Sequence, residues 1–259
     1  MTPFGLTSTA FRSSRLSDTE VARIAAAGFR TIELVPAPGH FDPADRGQVE
    51  LVRHRAAAES LTIGSLAVAV AQALATLPIV VEYGWPILIA RLGACRLGGA
   101  DTGSNTAVAA VLEKLLAALP PKGCQIAIQG PAGPIGGGES LVDLMESFDD
   151  SRVGICLDVG HGHLSYGAPE SAEAFSGLVI TTRLHDNNGR EDTHRAPGEG
   201  TINWPETLTA CWKTGVSGPW VLDLLESPGQ TDVLRRAVGA RTRLQAILED
   251  LAQPMTFTE

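Results

Sequence analysis

Short apolar runs alternate with longer amphipathic segments from one end of the chain to the other, and this alternation restricts the folds open to it. Strands are expected at 4–7, 29–35, 63–70, 95–98, 125–129, 153–158, 178–185 and 220–224. Between them lie helical stretches. The first has Ser17 and Glu20 spaced as a capping box, then Val21, Ile24 and Ala25 on one face, then Gly28 as a stop. Further helices are expected at 43–60, 79–92, 106–119, 139–148, 169–175, 204–213 and 231–251. Each helix returns the chain to its starting edge, so the strands run parallel. Eight such units predict a single (β/α)8 barrel (TIM barrel) of the α/β class over residues 1–259. A doubly wound open sheet would show a Gly-rich phosphate loop after the first strand, and LTSTAFRSS has none.

Charge and cysteine usage narrow the function classes. Twenty basic against twenty-nine acidic residues leave a net charge of −9, which repels a phosphate backbone, so no nucleic-acid partner is expected. Cys95, Cys124, Cys156 and Cys211 contain no C-x-x-C pair and read as reduced core residues. With no basic-then-apolar leader visible in MTPFGLTSTAF, a cytoplasmic location is the expectation. The uncharged run 61–81 approaches membrane-span length, but Gly64, Ser65, Gln72 and Pro78 interrupt it and Glu82 follows. A buried strand leading into a buried helix gives the same hydropathy, so no membrane partner is expected.

In a parallel barrel the chemistry belongs at the C-terminal ends of the strands. Those ends hold Glu33, an apolar end near Val70, Gly99 with Asp101, then Gln129, Asp158, His185 and Asp223. Four of the six histidines, His161, His163, His185 and His194, fall just past two of these strands. Carboxylate oxygen with imidazole nitrogen suits a divalent metal such as Mn²⁺, Zn²⁺, Co²⁺ or Fe²⁺ better than Ca²⁺. Each residue also has a plain structural reading. Asp158 could cap a helix, His185 could be a satisfied core histidine, Glu33 could pair with Arg30, and Asp186 could orient its own loop. His40, Phe41 and Trp204 could wall a sugar pocket or simply pack.

The phrases GFRTIEL, LDVGHGH, LHDNNGREDTHRAPGEGTINW and PWVLDL resemble, in order, pieces of the xylose-isomerase-like barrel superfamily. That superfamily groups sugar-phosphate isomerases and epimerases with endonuclease IV. The resemblance implies a metal held at the ends of the fifth to eighth strands, here Gln129, Asp158, His185 and Asp223. It implies catalytic roles for Asp158, His161 and Asp223, and substrate contacts from His161, Asp192 and His194, to which Glu33, at its strand end, could add a bond to a substrate hydroxyl. In the endonuclease branch, positions resembling His161, Asp192 and His194 bind additional metal ions.

Two departures bear on the reaction. Gln129 stands where a glutamate is expected, and an amide cannot act as a general base, though its carbonyl oxygen could be a weak ligand. Asp223 is a methylene shorter than the glutamate expected there. No histidine occurs between His54 and His161, so the early ligands of the endonuclease branch are missing and abasic-site cleavage ranks last. The expected function is metal-assisted isomerisation, epimerisation or dehydration of a sugar, polyol or related hydroxy-carbonyl compound. The alternative is a metal-poor barrel that binds a sugar-like ligand or a partner without turnover. An assembly of identical copies is compatible with the sequence.

Overall fold

Eight parallel strands close into a barrel in sequence order in this computed structural model, which describes residues 4–93, 104–132, 139–148, 150–226 and 232–252. They are β1 (Phe4–Thr7), β2 (Thr31–Leu34), β3 (Thr62–Ala69), β4 (Ile87–Arg91), β5 (Gln125–Gln129), β6 (Val153–Asp158), β7 (Val179–Leu184) and β8 (Trp220–Leu222). Outside them pack α1 (Asp18–Ala26), α2 (Arg46–Ala58), α3 (Val70–Glu82), α4 (Ser104–Ala118), α5 (Glu139–Glu146), α7 (Ala168–Ala174), α8 (Trp204–Lys213) and α9 (Val233–Ala252). A short helix, α6 (Val159–His163), follows β6 directly and has no counterpart in the sequence pattern. The α1 capping box forms as its spacing predicts: Thr19 N–H donates to Ser17 Oγ, and Ser17 N–H donates to Glu20 Oε2 at 3.0 Å.

The fourth strand corrects the sequence reading. It lies at Ile87–Arg91, inside the segment expected to be helical, while the expected strand at 95–98, with Cys95, Gly99 and Asp101, falls outside the described residues. The cause is α3. It starts at Val70 directly after β3, with Ala69 at its N-cap and no side-chain cap, so nothing in the sequence announces its start. It ends at Tyr83–Gly84, where Gly84 takes φ +66, and the apolar run that follows is free to be a strand. The uncharged run 61–81 is thus divided between β3 and α3, and no helix among the described residues is long and apolar enough to cross a membrane. Cys124, Cys156 and Cys211 are buried free thiols.

Strand alternation builds the floor of the site. Val35, Ala67, Ile87, Ile89, Ala127, Cys156 and Ile180 form an apolar plug inside the barrel, distinct from the larger core between strands and helices. Side chains two residues further along a strand face the same way. Ile89, Ala127 and Cys156 therefore place Arg91, Gln129 and Asp158 above the plug, at the C-terminal rim.

Candidate functional site

Asp158 ends β6 and caps α6, with its Oδ1 accepting from His161 N–H at 3.0 Å. The same oxygen accepts from His185 Nε2–H at 2.9 Å, and Oδ2 accepts from Gln129 Nε2–H at 2.7 Å. Burial alone would raise the Asp158 pKa, but the adjacent His161 and His185 outweigh it and hold the group well below the ordinary carboxylate range. Donation from Nε2 leaves His185 Nδ1 as the lone-pair nitrogen, and that atom is buried with no hydrogen-bond partner. Gly160 makes room for the ring: a Cβ there would lie 1.9 Å from His185 Cε1.

His161 and His194 are oriented alike. A carbonyl can only accept, so His161 Nδ1–H donates to Gly130 O at 2.9 Å and His194 Nδ1–H donates to Asp223 O at 2.9 Å. Both rings then turn Nε2 toward Asp192 Oδ2, at 3.3 and 3.4 Å. His194 has a left-handed backbone, φ +45, and its ring stacks on His185 with centroids 4.0 Å apart. Burial would lower both histidine pKa values; instead Asp158 with Asp192 raises that of His161 to about 9, and Asp223 with Asp192 raises that of His194 to about 9. Asp158, His161 and His185 offer donor atoms within 4.8 Å of one another, and so do His185, Asp192 and His194. Imidazole and carboxylate donors around an unpartnered ring nitrogen fit a divalent cation.

Asp223 and Glu33 are engaged elsewhere. Asp223 Oδ1 accepts from Thr7 and Thr9 at 2.9 and 3.0 Å, and Oδ2 accepts from Arg183 Nη1 at 3.1 Å. Burial would raise its pKa, but Arg183 and His194 bring it to about 2. Glu33 is fully buried, paired with Arg183 Nη2 and accepting from Ser65 Oγ at 2.8 Å. It pairs with Arg183 rather than Arg30 and is not among the residues that line the mouth cavity. Gln129 turns its amide to Asp158 and leaves Oε1 buried without a partner.

A cavity of about 360 Å³ opens at this rim, lined in part by Arg12, Arg91, Gln129, His161, Asp192 and His194. Arg183 and Asp223 also reach it. Arg183 escaped the sequence reading, although a single arginine two residues before His185 in an apolar run had to face the same way. Arg91 escaped because its strand was misplaced. Asp186 orients its loop, accepting from Asn187, Gly198 and Ile202 N–H and from Trp204 Nε1–H. Trp204 is thereby buried under that loop, while His40 and Phe41 line a separate depression beside α3; neither group walls the mouth cavity. His163 Nε2 bonds Thr201 Oγ1 at 3.0 Å, outside the cluster.

A closed parallel barrel with a carboxylate–imidazole cluster at its C-terminal rim defines a class of barrel with its polar site where the βα loops meet. Within that class, the sequence profile of the xylose isomerase-like TIM barrel matches residues 21–245, and the chain belongs to that family. It is 34% identical over 124 residues to the uncharacterized protein MJ1311 of Methanocaldococcus jannaschii, covering 47% of this chain and 41% of that one. The match thus spans less than half the length of that curated relative. A D-tagatose 3-epimerase-like protein superposes with TM-score 0.80 at 19% identity, covering 97% of this chain and 98% of that chain. The IolI protein, solved with a bound zinc atom, gives TM-score 0.74 at 15% identity over 94% of this chain and 98% of its own.

Proposed function

We propose that the protein is a metal-assisted isomerase or epimerase acting on a small sugar or related hydroxy-carbonyl compound. One observation carries this reading: His185, buried and oriented by Asp158, directs an unpartnered nitrogen into a group of carboxylate and imidazole donors at the barrel mouth. The residues that would hold a divalent cation are His185, Asp192 and His194, with Asp158 fixing the tautomer of His185 from behind. Such a cation, when bound, polarises a substrate carbonyl so that the adjacent C–H becomes acidic.

The chain's own groups supply the rest. His161 lines the cavity with its Nδ1–H fixed on Gly130 O and, with its pKa raised to about 9, carries a proton at Nε2 that it can give to the substrate and take back without turning. Asp192 accepts from that nitrogen and steadies the imidazolium. Asp223, held by Arg183 and with its pKa brought to about 2, is a poor base, and Glu33 is buried off the cavity lining, so His161 is left as the acid–base group in place of two carboxylates on opposite faces. The epimerase-like protein and the zinc-bound IolI protein that share the fold support the substrate class and the metal.

The test combines two measurements: the metal content of protein incubated with Mn²⁺, Zn²⁺ or Co²⁺, and solvent-deuterium incorporation at the α carbon of ketoses and inososes. His161→Gln should keep the metal and lose exchange. Less than about a tenth of an equivalent of metal, with no exchange in the parent, removes the proposal. A second reading, a barrel that binds sugar without turnover, draws on the neutralisation of Asp223 by Arg183 and on the amide at Gln129. It is favoured if ligands bind and no exchange follows.

A further inference from the structure

We infer that the substrate of this site is an acidic sugar, whose carboxylate or phosphate is held by Arg91 and Arg12. The inference rests on the sugar reading above and adds the chemical class. Arg91 is the last residue of β4, and its register partner on β5 is Gln129. Arg91, Gln129 and Arg12 line the same cavity as His161, Asp192 and His194. Among the described residues, neither Arg91 nor Arg12 has an ion-pair partner, and Arg91 Nε is buried with nothing to donate to.

The carboxylates that could neutralise Arg91 are already used. Glu33 is held by Arg183 and Ser65, and Asp223 by Arg183, Thr7 and Thr9. A half-buried guanidinium beside a second guanidinium, with an N–H facing no acceptor, is costly unless an anion completes it. Guanidinium groups match the planar oxygens of carboxylate and phosphate with paired hydrogen bonds. Beside Arg91, Gln129 Oε1 is a buried acceptor without a donor, so an oxyanion with a neighbouring hydroxyl satisfies both residues at once. Asp192 and Asp223 also line the cavity and repel negative charge, which turns the oxyanion toward Arg91 and Arg12 and leaves the polyol to the histidines. A volume of about 360 Å³ accommodates a hexose-sized acid.

Calorimetric titration at low salt compares D-fructose, 2-keto-D-gluconate, D-fructose 6-phosphate and inorganic phosphate. At least one sugar acid should bind ten-fold or more tightly than D-fructose, with a preference that shrinks as salt rises. The keto acid against the phosphate ester, with inorganic phosphate as the group alone, decides which oxyanion is preferred. Arg91→Gln and Arg12→Gln should each reduce the preference to under about threefold. Arg12 is exposed, so its variant stays folded if Arg91→Gln does not. Equal affinities, no binding of either acid, or a preference that persists in the variants overturns the inference. Deuterium exchange on D-fructose with no preference for acids would leave the isomerase reading intact; a preference for acids with no exchange on any sugar would do the reverse.

Discussion

Arg183 Nη1 donates to Asp223 Oδ2 at 3.1 Å, with both side chains almost wholly enclosed by the barrel. The pair decides what the eighth strand can contribute. Asp223 sits where a metal-binding carboxylate is expected from the sequence, yet one oxygen serves two threonine hydroxyls and the other serves a fixed cation. Arg183 also holds Glu33, so one positive charge stands between two negative ones inside the cylinder. Polar chemistry is left to the adjoining arc, where the ends of β6 and β7 meet the loop carrying Asp192 and His194.

Removing that positive charge exposes the two carboxylates to each other. Arg183→Met should destabilise the protein by about 3–5 kcal/mol, because charges taken from water and then left unpaired are among the most costly defects in a fold. Pairing it with Glu33→Gln should recover a large part of the loss, since one carboxylate can keep Thr7, Thr9 and His194 as partners. Urea unfolding of the three proteins measures this. A single variant within about 1 kcal/mol of the parent would show that the arginine does not offset the carboxylates.

The histidines give chelator-treated protein a pH dependence of definite sign. His161 and His194 have folded pKa values near 9, above the usual 6.5, so they bind protons more tightly when folded. Their contribution is fully present below about pH 6.5 and is lost as pH rises through 9. Asp223, brought to about 2 from 3.8, acts in the other direction: its contribution is present above 3.8 and is lost as pH falls through 2. Melting temperature against pH should therefore decline on both sides of a plateau. His161→Gln with His194→Gln should flatten the alkaline decline and make the acid limb shallower, leaving the part that Arg183 gives Asp223.

Gly160 is required by the ring it faces. A methyl at this position would overlap His185 Cε1, so Gly160→Ala forces the imidazole off Asp158 or pushes α6 outward. Loss of an orienting contact typically lowers metal affinity by about 10–100-fold, and overpacking costs about 1–3 kcal/mol. Competition with a chelating dye reads the first and thermal melting the second. Unchanged affinity would separate His185 from the cation site.

Most of the barrel was legible in the sequence because strand and helix periods alternate cleanly and several boundaries carry their own chemistry, as Ser17 and Glu20 do for α1. The exception was the β3–α3–β4 stretch. There a helix begins without a capping residue and contains Pro78, so hydropathy could not separate it from the strands on either side. The site was legible in part for a related reason. Asp158, His185, His161, Asp192 and His194 lie on segments whose pattern is local, and the structure places them together. Arg183 meets Asp223 from the neighbouring strand and Glu33 from β2, through contacts 40 and 150 residues apart in the chain, which no local pattern records.

Gln129 offers the sharpest test of how this site treats charge. Its amide donates to Asp158 Oδ2 at 2.7 Å, a contact that relieves a buried carboxylate without adding negative charge. Gln129→Glu replaces that donor with a second carboxylate at the same distance. In chelator-treated protein the two must repel or share a proton, and stability should fall by about 1–3 kcal/mol. A divalent cation bound nearby is attracted by the added charge, so Mn²⁺ or Zn²⁺ should bind about ten-fold more tightly and raise the melting temperature further than in the parent. Titration of both proteins with each ion, followed by melting, reads the difference. If the variant melts lower without metal and gains no more than the parent on loading, the cation does not reside within the field of Asp158, and the assignment of His185 as a ligand oriented by that carboxylate fails with it.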